Sequence, residues 1–292
     1  MKVLVTGACG QLGHDVIEEL NRREHEAIAA DLIESAQVRL DITDEVSTLN
    51  TIRELYPDAV IHCAAWTAVD AAEDEENQAK VWDINVKGTE NVAKACKAAN
   101  AKMLYLSTDY VFGGQGSEPW EPDCRAYRPL KYYGQTKLEG EHAVDRFLEK
   151  YFIVRIAWAF GKNGNNFVKT MLKLADTHDS LRVVCDQIGT PTYTPDLARL
   201  LVDMIETDRY GYYHATNEGG FISWYDFAVE IFRLAGKEVT VTPVTTEEYG
   251  LSKAKRPANS RLSKSKLRGN GFTELPDWKD ALRRYIESIE ED

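Results

Sequence analysis

The feature that most constrains the fold is a glycine-rich turn at the start of the chain. An apolar segment, residues 2–6, leads into Gly7, Gly10 and Gly13, and a helical pattern follows over residues 14–21. A strand, a glycine turn and a helix in this order typically bind a diphosphate, because glycine allows close approach of the backbone and the helix N-terminus offers unpaired N–H groups. A tight turn without a ligand is the alternative interpretation. The predicted cofactor contacts in this turn are Gly7, Gly10, Gln11, Leu12 and Gly13.

Short apolar segments alternate with helical patterns through the first half of the chain. The apolar segments lie at residues 27–31, 38–42, 58–65, 102–107 and 152–158. This alternation is typical of a doubly wound parallel sheet, in which ligands bind beyond the carboxyl ends of the strands. We therefore predict an α/β fold: a Rossmann-type doubly wound parallel sheet with a smaller mixed α/β C-terminal substrate lobe.

The same patterns suggest how the chain divides between two lobes. We predict that residues 1–160, with strands near 183–187 and 211–216, form the dinucleotide-binding domain. The substrate-binding lobe then comprises residues 161–182 and 217–292 with parts of 188–210. No internal repeat or low-complexity linker separates the two parts.

A carboxylate ends the second predicted strand, about 20 residues beyond the glycines, where an acid accepts hydrogen bonds from the adenosine ribose. This residue, Asp31, would repel a 2′-phosphate, so NADH is favoured over NADPH; a helix cap or a solvated loop acid is the alternative. Asp41 and Ile42, which end the third segment, are predicted to border the adenine. The fourth segment ends in small residues that permit close approach of the ribose and diphosphate: Cys63, Ala64 and Ala65.

Composition and charge argue against several classes of protein. The net charge of −12 does not suit a nucleic-acid surface. No segment approaches the roughly 20 apolar residues of a membrane span, and the first apolar segment is too short for a secretory signal. The five cysteines form no CxxC pair and the six histidines show no ligand spacing. We therefore predict no disulfide framework, no metal site and a cytoplasmic location.

The fifth apolar segment ends in Thr108, and Tyr133 follows with Lys137 four residues later. On a helix, Tyr133 and Lys137 share one face. A phenol with an ordinary pKa near 10 is poorly suited to proton transfer at neutral pH, and a nearby ammonium favours its ionised form. We predict that Tyr133 and Lys137 contact a nicotinamide cofactor and that these two residues and Thr108 are catalytic. A surface aromatic is the alternative interpretation of Tyr133.

Taken together, these segments resemble the extended short-chain dehydrogenase/reductase family over essentially the whole chain. The resemblance rests on the segments VTGACGQLG at 5–13, AAWTAVD at 64–70, STDYVF at 107–112 and YGQTK at 133–137. It implies a reductase of a nucleotide-linked 4-keto sugar, in which NADH or NADPH reduces C4 of dTDP-4-dehydro-6-deoxy-L-mannose. It also implies that Tyr133 is the proton donor and Lys137 its electrostatic partner.

The resemblance further implies which residues contact the nucleotide sugar. For Trp158, burial in the core is the alternative. For Arg256, which can pair with a diphosphate in bidentate fashion, a solvated basic stretch is the alternative and Arg261 is the second choice. One departure is Lys131, where the family usually has Asn. The predicted substrate contacts are Thr67, Asp109, Tyr110, Trp158, Asn166, Lys169, Gln187 and Arg256.

Other functions on the same scaffold stay open. One is an epimerase or a dehydratase; the dehydratase is disfavoured because Asp109 is followed by Tyr110 rather than by Glu. Another is a non-catalytic regulatory subunit of the type associated with methionine adenosyltransferase, which an intact Thr108, Tyr133 and Lys137 set disfavours. The predicted partner is a small nucleotide-sugar substrate. A homodimer is possible, and we predict that the protein binds neither nucleic acid nor a membrane.

Overall fold

The computed structural model describes residues 1–250 and 254–290 of the chain. Residues 251–253 and 291–292 of the predicted substrate lobe therefore lie outside the described residues. The strands are β1 (Lys2–Thr6), β2 (Glu26–Asp31), β3 (Val38–Arg39), β4 (Ala59–His62), β5 (Lys102–Thr108), β6 (Tyr151–Ile156), β7 (Ala159–Phe160), β8 (Ser180–Val184), β9 (Ile188–Gly189), β10 (Thr192–Tyr193), β11 (Gly211–His214), β12 (Ile222–Ser223) and β13 (Thr240–Val244).

The α-helices lie between these strands and after them. They are α1 (Gln11–Arg22), α2 (Glu45–Leu55), α3 (Glu75–Trp82), α4 (Thr89–Ala99), α5 (Tyr132–Phe147), α6 (Phe167–Ala175), α7 (Thr194–Ile205), α8 (Trp224–Leu234), α9 (Thr246–Tyr249), α10 (Ser265–Gly269) and α11 (Trp278–Glu290). A π-helical segment, Asp83–Gly88, joins α3 to α4.

Seven strands form one parallel sheet in the order β11-β6-β5-β4-β1-β2-β3. The order reverses next to β1, so the connections that leave the carboxyl ends of β1 and β4 run in opposite directions and a crevice opens between them. Because successive side chains on a strand face opposite sides, Val3 and Val5 of β1 pack with α1 and α7, whereas Leu4 packs on the opposite face with α2 and α4. The predicted Rossmann-type parallel sheet is confirmed.

The smaller lobe has its own core, built from aromatic and aliphatic side chains of α6, α8 and α11. Ser223 begins α8 with a capping box, because its hydroxyl accepts from Asp226 N and the Asp226 carboxylate accepts from Ser223 N. The strand predicted near 183–187 is misassigned to the dinucleotide domain: β8 pairs with β13 in a separate two-stranded sheet. The other added strand, β11, does pair with β6 at the edge of the main sheet.

Within residues 1–250 and 254–290, no helix is both long enough and apolar enough to cross a membrane.

Candidate active site

The glycine turn lies at the crevice, between β1 and α1. Gly7 has φ of +67°, and a Cβ at this position would lie 2.6 Å from the backbone nitrogen of Ala64 at the end of β4. A Cβ at Gly13 would lie 2.1 Å from the carbonyl oxygen of Gly7. The turn therefore tolerates only glycine at these two positions, and it leaves a concave backbone surface of the kind that accommodates a diphosphate.

Asp31 lies beside this turn at the end of β2. Its carboxylate accepts a hydrogen bond from Cys9 N at 3.0 Å and another from Leu32 N at 2.7 Å. The predicted adenine neighbours differ from each other: the exposed Asp41 accepts from Thr43 N at 2.9 Å, whereas Ile42 is buried against Gly88. Asp41 thus stabilises its own turn, and only Ile42 contributes to the core.

The ends of β1 and β4 are held together by side chains and backbone. Thr6 accepts a hydrogen bond from Cys63 N at 3.1 Å through its carbonyl, and its hydroxyl lies 2.7 Å from His62 Nδ1. His62 also contacts Thr89 Oγ1 at 3.1 Å, so its two ring nitrogens have partners within the core. Burial lowers the pKa of His62 to about 3, and the ring is therefore neutral. Cys63 and Ala64 are half-buried at the crevice.

The predicted proton donor lies at the start of α5, against the end of β5. Tyr133 is 8% exposed and packs edge-to-face on Tyr110, with ring centroids 5.5 Å apart. Burial raises the pKa of Tyr133 well above its usual range, Asp109 raises it further, and a hydrogen bond with Thr108 lowers it. The phenol is therefore protonated at neutral pH, which is the state that a proton donor requires.

Lys137 lies one helical turn beyond Tyr133 and is 4% exposed. Its ammonium donates to the carbonyl of Leu106 at 2.7 Å and lies 4.2 Å from the ring centroid of Tyr105. Burial lowers the pKa of Lys137 to about 7. The shift at Tyr133 comes from burial, Asp109 and Thr108, so the stabilisation of its phenolate by Lys137 stays a prediction.

Asp109 is the second side chain beyond β5 that the sequence places near the substrate. It is 2% exposed, and the Thr108 hydroxyl donates to its carboxylate at 3.1 Å. Burial raises the pKa of Asp109 to about 6, although hydrogen bonds from Ser260 and Thr108 oppose the shift. The structure thus brings Thr108, Asp109, Tyr110 and Tyr133 into one buried cluster.

Two predicted substrate residues lie where the smaller lobe meets the crevice. Trp158 has φ of +52° and stacks on Trp224, with ring centroids 3.8 Å apart. Asn166 caps α6 by accepting from Lys169 N at 3.0 Å, and it donates to Gln11 Oε1 at 3.0 Å. Asn166 therefore ties the smaller lobe to the glycine turn.

The remaining predicted substrate residues are held by other parts of the protein. Lys169 donates to the carbonyl of Gly164 at 3.0 Å, and Gln187 donates to Thr246 Oγ1 at 3.0 Å. Thr67 is exposed beyond β4. Among the hydrogen bonds of the described residues, none joins Lys169 or Gln187 to the cluster of Thr108, Asp109, Tyr110 and Tyr133.

Arg256 is paired with a residue that the sequence analysis does not single out. Its guanidinium donates to the two carboxylate oxygens of Asp70 at 2.7 and 3.3 Å, and Asp70 also accepts from Ala254 N at 2.9 Å. Burial raises the pKa of Tyr110, and the Arg256 charge opposes that shift. Asp70 lies inside the AAWTAVD segment, but spacing alone gives no sign of a partner 186 residues away.

A second residue without a sequence prediction is Glu141, which lies four residues beyond Lys137 on α5. It is fully buried and forms an ion pair with the equally buried Arg155 of β6, at 2.7 Å. The sequence does carry a signal for this residue, because Glu141 follows Lys137 by four residues, as Lys137 follows Tyr133. Its burial depends on β6, which the spacing does not show.

Among the described residues, one group brings three candidate metal ligands together: His14, Asp15 and Glu18 on α1, within 4.8 Å of one another. His14 lies 3.5 Å from Asp15 and 3.7 Å from Glu18, distances typical of ion pairs. His14 and Glu18 are four residues apart, and such residues are neighbours on a helix without a metal.

Comparison with known proteins agrees with the fold. The chain matches the family described as RmlD substrate binding domain over residues 1–291. A dTDP-4-dehydrorhamnose reductase from Aggregatibacter actinomycetemcomitans is 40% identical over 295 residues, which cover 97% of this chain and 97% of that protein.

Two solved structures are also similar over the full length. A dTDP-4-dehydrorhamnose reductase from Clostridium acetobutylicum has a TM-score of 0.93 and 45% identity, covering 99% of this chain and 100% of that one. The reductase of the same name from Bacillus anthracis, in complex with NADP, has a TM-score of 0.91 and 42% identity, covering 99% and 100%.

The fold and the crevice are those of a Rossmann-type protein of the short-chain dehydrogenase/reductase class, as the sequence predicts. Within that class, the chain belongs to the RmlD substrate binding domain family.

Proposed function

We propose that this chain is a dTDP-4-dehydrorhamnose reductase, which uses a reduced nicotinamide cofactor to convert dTDP-4-dehydro-L-rhamnose to dTDP-L-rhamnose. The observation that carries the proposal is the burial of Thr108 and Tyr133 at the carboxyl end of β5, on the same edge of the parallel sheet as the glycine turn after β1. The relatives named dTDP-4-dehydrorhamnose reductase match this chain over nearly their full length, and not only in the nucleotide-binding half.

The glycine turn fits a dinucleotide, because side chains at Gly7 and Gly13 would collide with backbone atoms that line the turn. One N–H of the Lys137 ammonium is taken by Leu106, and an ammonium has three, so two can be offered to ribose hydroxyls. When bound, the cofactor supplies the hydride that reduces C4. The chain itself supplies the proton and the electrostatic environment of the reacting oxygen.

Tyr133 is the proton donor in this proposal. Its phenol is neutral because it is buried, and it can transfer its proton as negative charge develops on the C4 oxygen. The Thr108 hydroxyl, which donates to Asp109 in the structure, turns in this proposal to donate to the resulting phenolate. The Lys137 charge, on the same helix face as Tyr133, also favours the phenolate. Burial of the cluster strengthens both effects because water is excluded.

Asp31 is the basis for a cofactor preference. In this proposal its carboxylate, at the end of β2, repels a 2′-phosphate, so we expect NADH to be used better than NADPH. The relative from Bacillus anthracis is in complex with NADP, and we therefore expect a preference and not exclusion. Arg256, which is paired with Asp70 in the structure, is proposed to pair with the diphosphate of the nucleotide sugar. The cytoplasmic location and the homodimer stay predictions of the sequence.

The test is cofactor oxidation, followed by absorbance, with dTDP-4-dehydro-L-rhamnose and identification of the product sugar by NMR. Tyr133→Phe should lower kcat about 100-fold or more, because it removes the acid. Tyr132→Phe is the matched control; that hydroxyl donates to Gln78 O at 3.1 Å, away from the cluster. A folded wild-type protein that oxidises neither cofactor with this sugar would refute the assignment.

A further inference from the structure

Three buried side chains lie along one face of α5 at intervals of four residues: Tyr133, Lys137 and Glu141. They are 8%, 4% and 0% exposed. Residues four apart on a helix are neighbours, so Glu141 is the next side chain beyond Lys137 on the side away from the reacting phenol. A fully buried carboxylate is rare unless its charge is compensated.

Glu141 is compensated by a bidentate pair and an additional hydrogen bond. Arg155 Nε donates to one carboxylate oxygen at 2.8 Å and Arg155 Nη2 donates to the other at 2.7 Å. The hydroxyl of Ser107 also donates to Glu141. Ser107 directly precedes Thr108 on β5, so the carboxylate ties α5 to the strand end that carries a catalytic hydroxyl.

Among the described groups that act on the charge of Lys137, Glu141 is the carboxylate. Burial lowers the pKa of Lys137, and Glu141 is the first group that raises it. Cys63 raises it too, but burial holds the pKa of that thiol at about 12, so it is uncharged at neutral pH. His62 on β4 is neutral, and the Tyr105 ring on β5 faces the ammonium.

The groups on the other side of Glu141 belong to β6, β11 and the segment before α5. Arg155 carries the opposing positive charge and donates to the Tyr127 hydroxyl at 2.7 Å. His214 lies 3.4 Å from Arg155, and burial keeps the pKa of its ring well below the usual range, so it adds no charge. Tyr212 lies against the guanidinium with its ring centroid 4.9 Å away. Glu141 is therefore paired with one cation, Arg155, and lies one helical turn from a second, Lys137.

We propose, given the reductase function proposed above, that Glu141 is a positioning residue: its carboxylate keeps the Lys137 ammonium charged and in place, and its bond to Ser107 fixes the strand end that carries Thr108. Glu141 touches neither the sugar nor the cofactor in this arrangement. It acts through Lys137 and Thr108.

The direct test is a pH titration of Lys137 monitored by NMR. The lysine side chains carry carbon-13 at their terminal carbon, and the Lys137→Met variant assigns the Lys137 signal. Glu141→Gln should lower the titration midpoint by about one pH unit or more, the size expected for loss of a neighbouring opposite charge. Glu139→Gln is the matched control. It lies on the same helix, is one-third exposed and faces His142, so it should leave the midpoint unchanged.

Activity supplies a second readout that a purely structural role would not move. In Glu141→Gln, the alkaline limb of the kcat profile should shift to lower pH by the same amount as the Lys137 titration. Glu141→Asp should recover part of the shift. Ser107→Ala removes a hydrogen bond but keeps the charge, so it should leave the Lys137 midpoint in place while lowering kcat through Thr108.

Glu141→Gln leaves Arg155 buried without its partner and can fail to fold. The double variant Glu141→Gln, Arg155→Met removes both buried charges. Its Lys137 midpoint should still fall, but by less than in Glu141→Gln, because loss of the Arg155 charge opposes the shift. An unchanged midpoint in either folded variant would overturn the proposal. Inactivity of the wild-type protein on the sugar, with the midpoint shift present, would instead overturn the proposed function and leave the role of Glu141 toward Lys137 supported.

Discussion

The carboxylate of Asp31 accepts a hydrogen bond from the backbone N–H of Cys9, at 3.0 Å. One side chain at the end of β2 therefore supports the glycine turn, and in the proposed function the same side chain carries the charge near the adenosine ribose. These two roles can be separated. Asparagine keeps an acceptor for Cys9 N but removes the charge, whereas alanine removes both.

We expect Asp31→Asn to raise the ratio of kcat/KM for NADPH over NADH about tenfold, because repulsion of a 2′-phosphate is lost. Asp31→Ala should raise the ratio as well and should also weaken binding of both cofactors, since the turn loses its support. Steady-state kinetics with each cofactor measure this. An unchanged ratio in Asp31→Asn would remove Asp31 as the basis of the preference.

Gly13→Ala should abolish tight cofactor binding. The added Cβ would lie 2.1 Å from Gly7 O and 2.8 Å from the Ala8 Cα, so the turn or α1 must move. We expect a loss of about 1–3 kcal/mol in the free energy of unfolding, typical of overpacking. Fluorescence titration with NADH and thermal denaturation measure the two effects. Gly269→Ala is the control, because its Cβ would meet no atom within 4 Å.

Asp109→Asn should stabilise the protein in a pH-dependent way. The buried carboxyl has its pKa raised from 3.8 to about 6, so its ionisation is unfavourable in the folded state. Its contribution to stability is present below about pH 4 and is lost as the pH rises through about 6. At about pH 8 the variant should therefore gain about 3 kcal/mol over the wild type, and at about pH 4 almost nothing.

Denaturant unfolding at the two pH values tests this prediction. The exposed Asp179 provides the control, since Asp179→Asn should give no such gain. A gain in the free energy of unfolding of equal size at both pH values would show that ionisation of Asp109 does not destabilise the folded protein. We also expect Asp109→Asn to lower turnover, because the carboxylate contacts Thr108 within the Tyr133 cluster.

Arg256→Gln should raise KM for the nucleotide sugar about 10- to 100-fold, the effect of losing a charge-assisted hydrogen bond to a diphosphate. Binding of NADH should be unchanged. Arg261→Gln is the comparison, because Arg261 donates to Asn259 at 3.0 Å and was the second choice as diphosphate ligand. A larger effect at Arg261 would reverse the order of these two predictions.

Local patterns in the sequence predict the elements that carry the site. The glycine spacing, the carboxylate at residue 31 and the YGQTK segment each lie within a single strand, turn or helix, so their short-range geometry follows from the backbone. The parallel sheet follows from the alternation of strands and helices. Ser223 is likewise predictable as the first residue of a helix from its neighbours alone.

Long-range packing decided the rest. The sequence cannot show that β8 pairs with β13 and not with the main sheet, because both arrangements suit a short apolar strand. It also cannot show that Asp70 holds Arg256 across 186 positions, or that Arg155 buries Glu141 behind Lys137. The sequence by itself determined which chemical groups are present and on which element each lies. The tertiary structure decided which groups lose their water and which charges meet, and those two factors set the pKa values at the site.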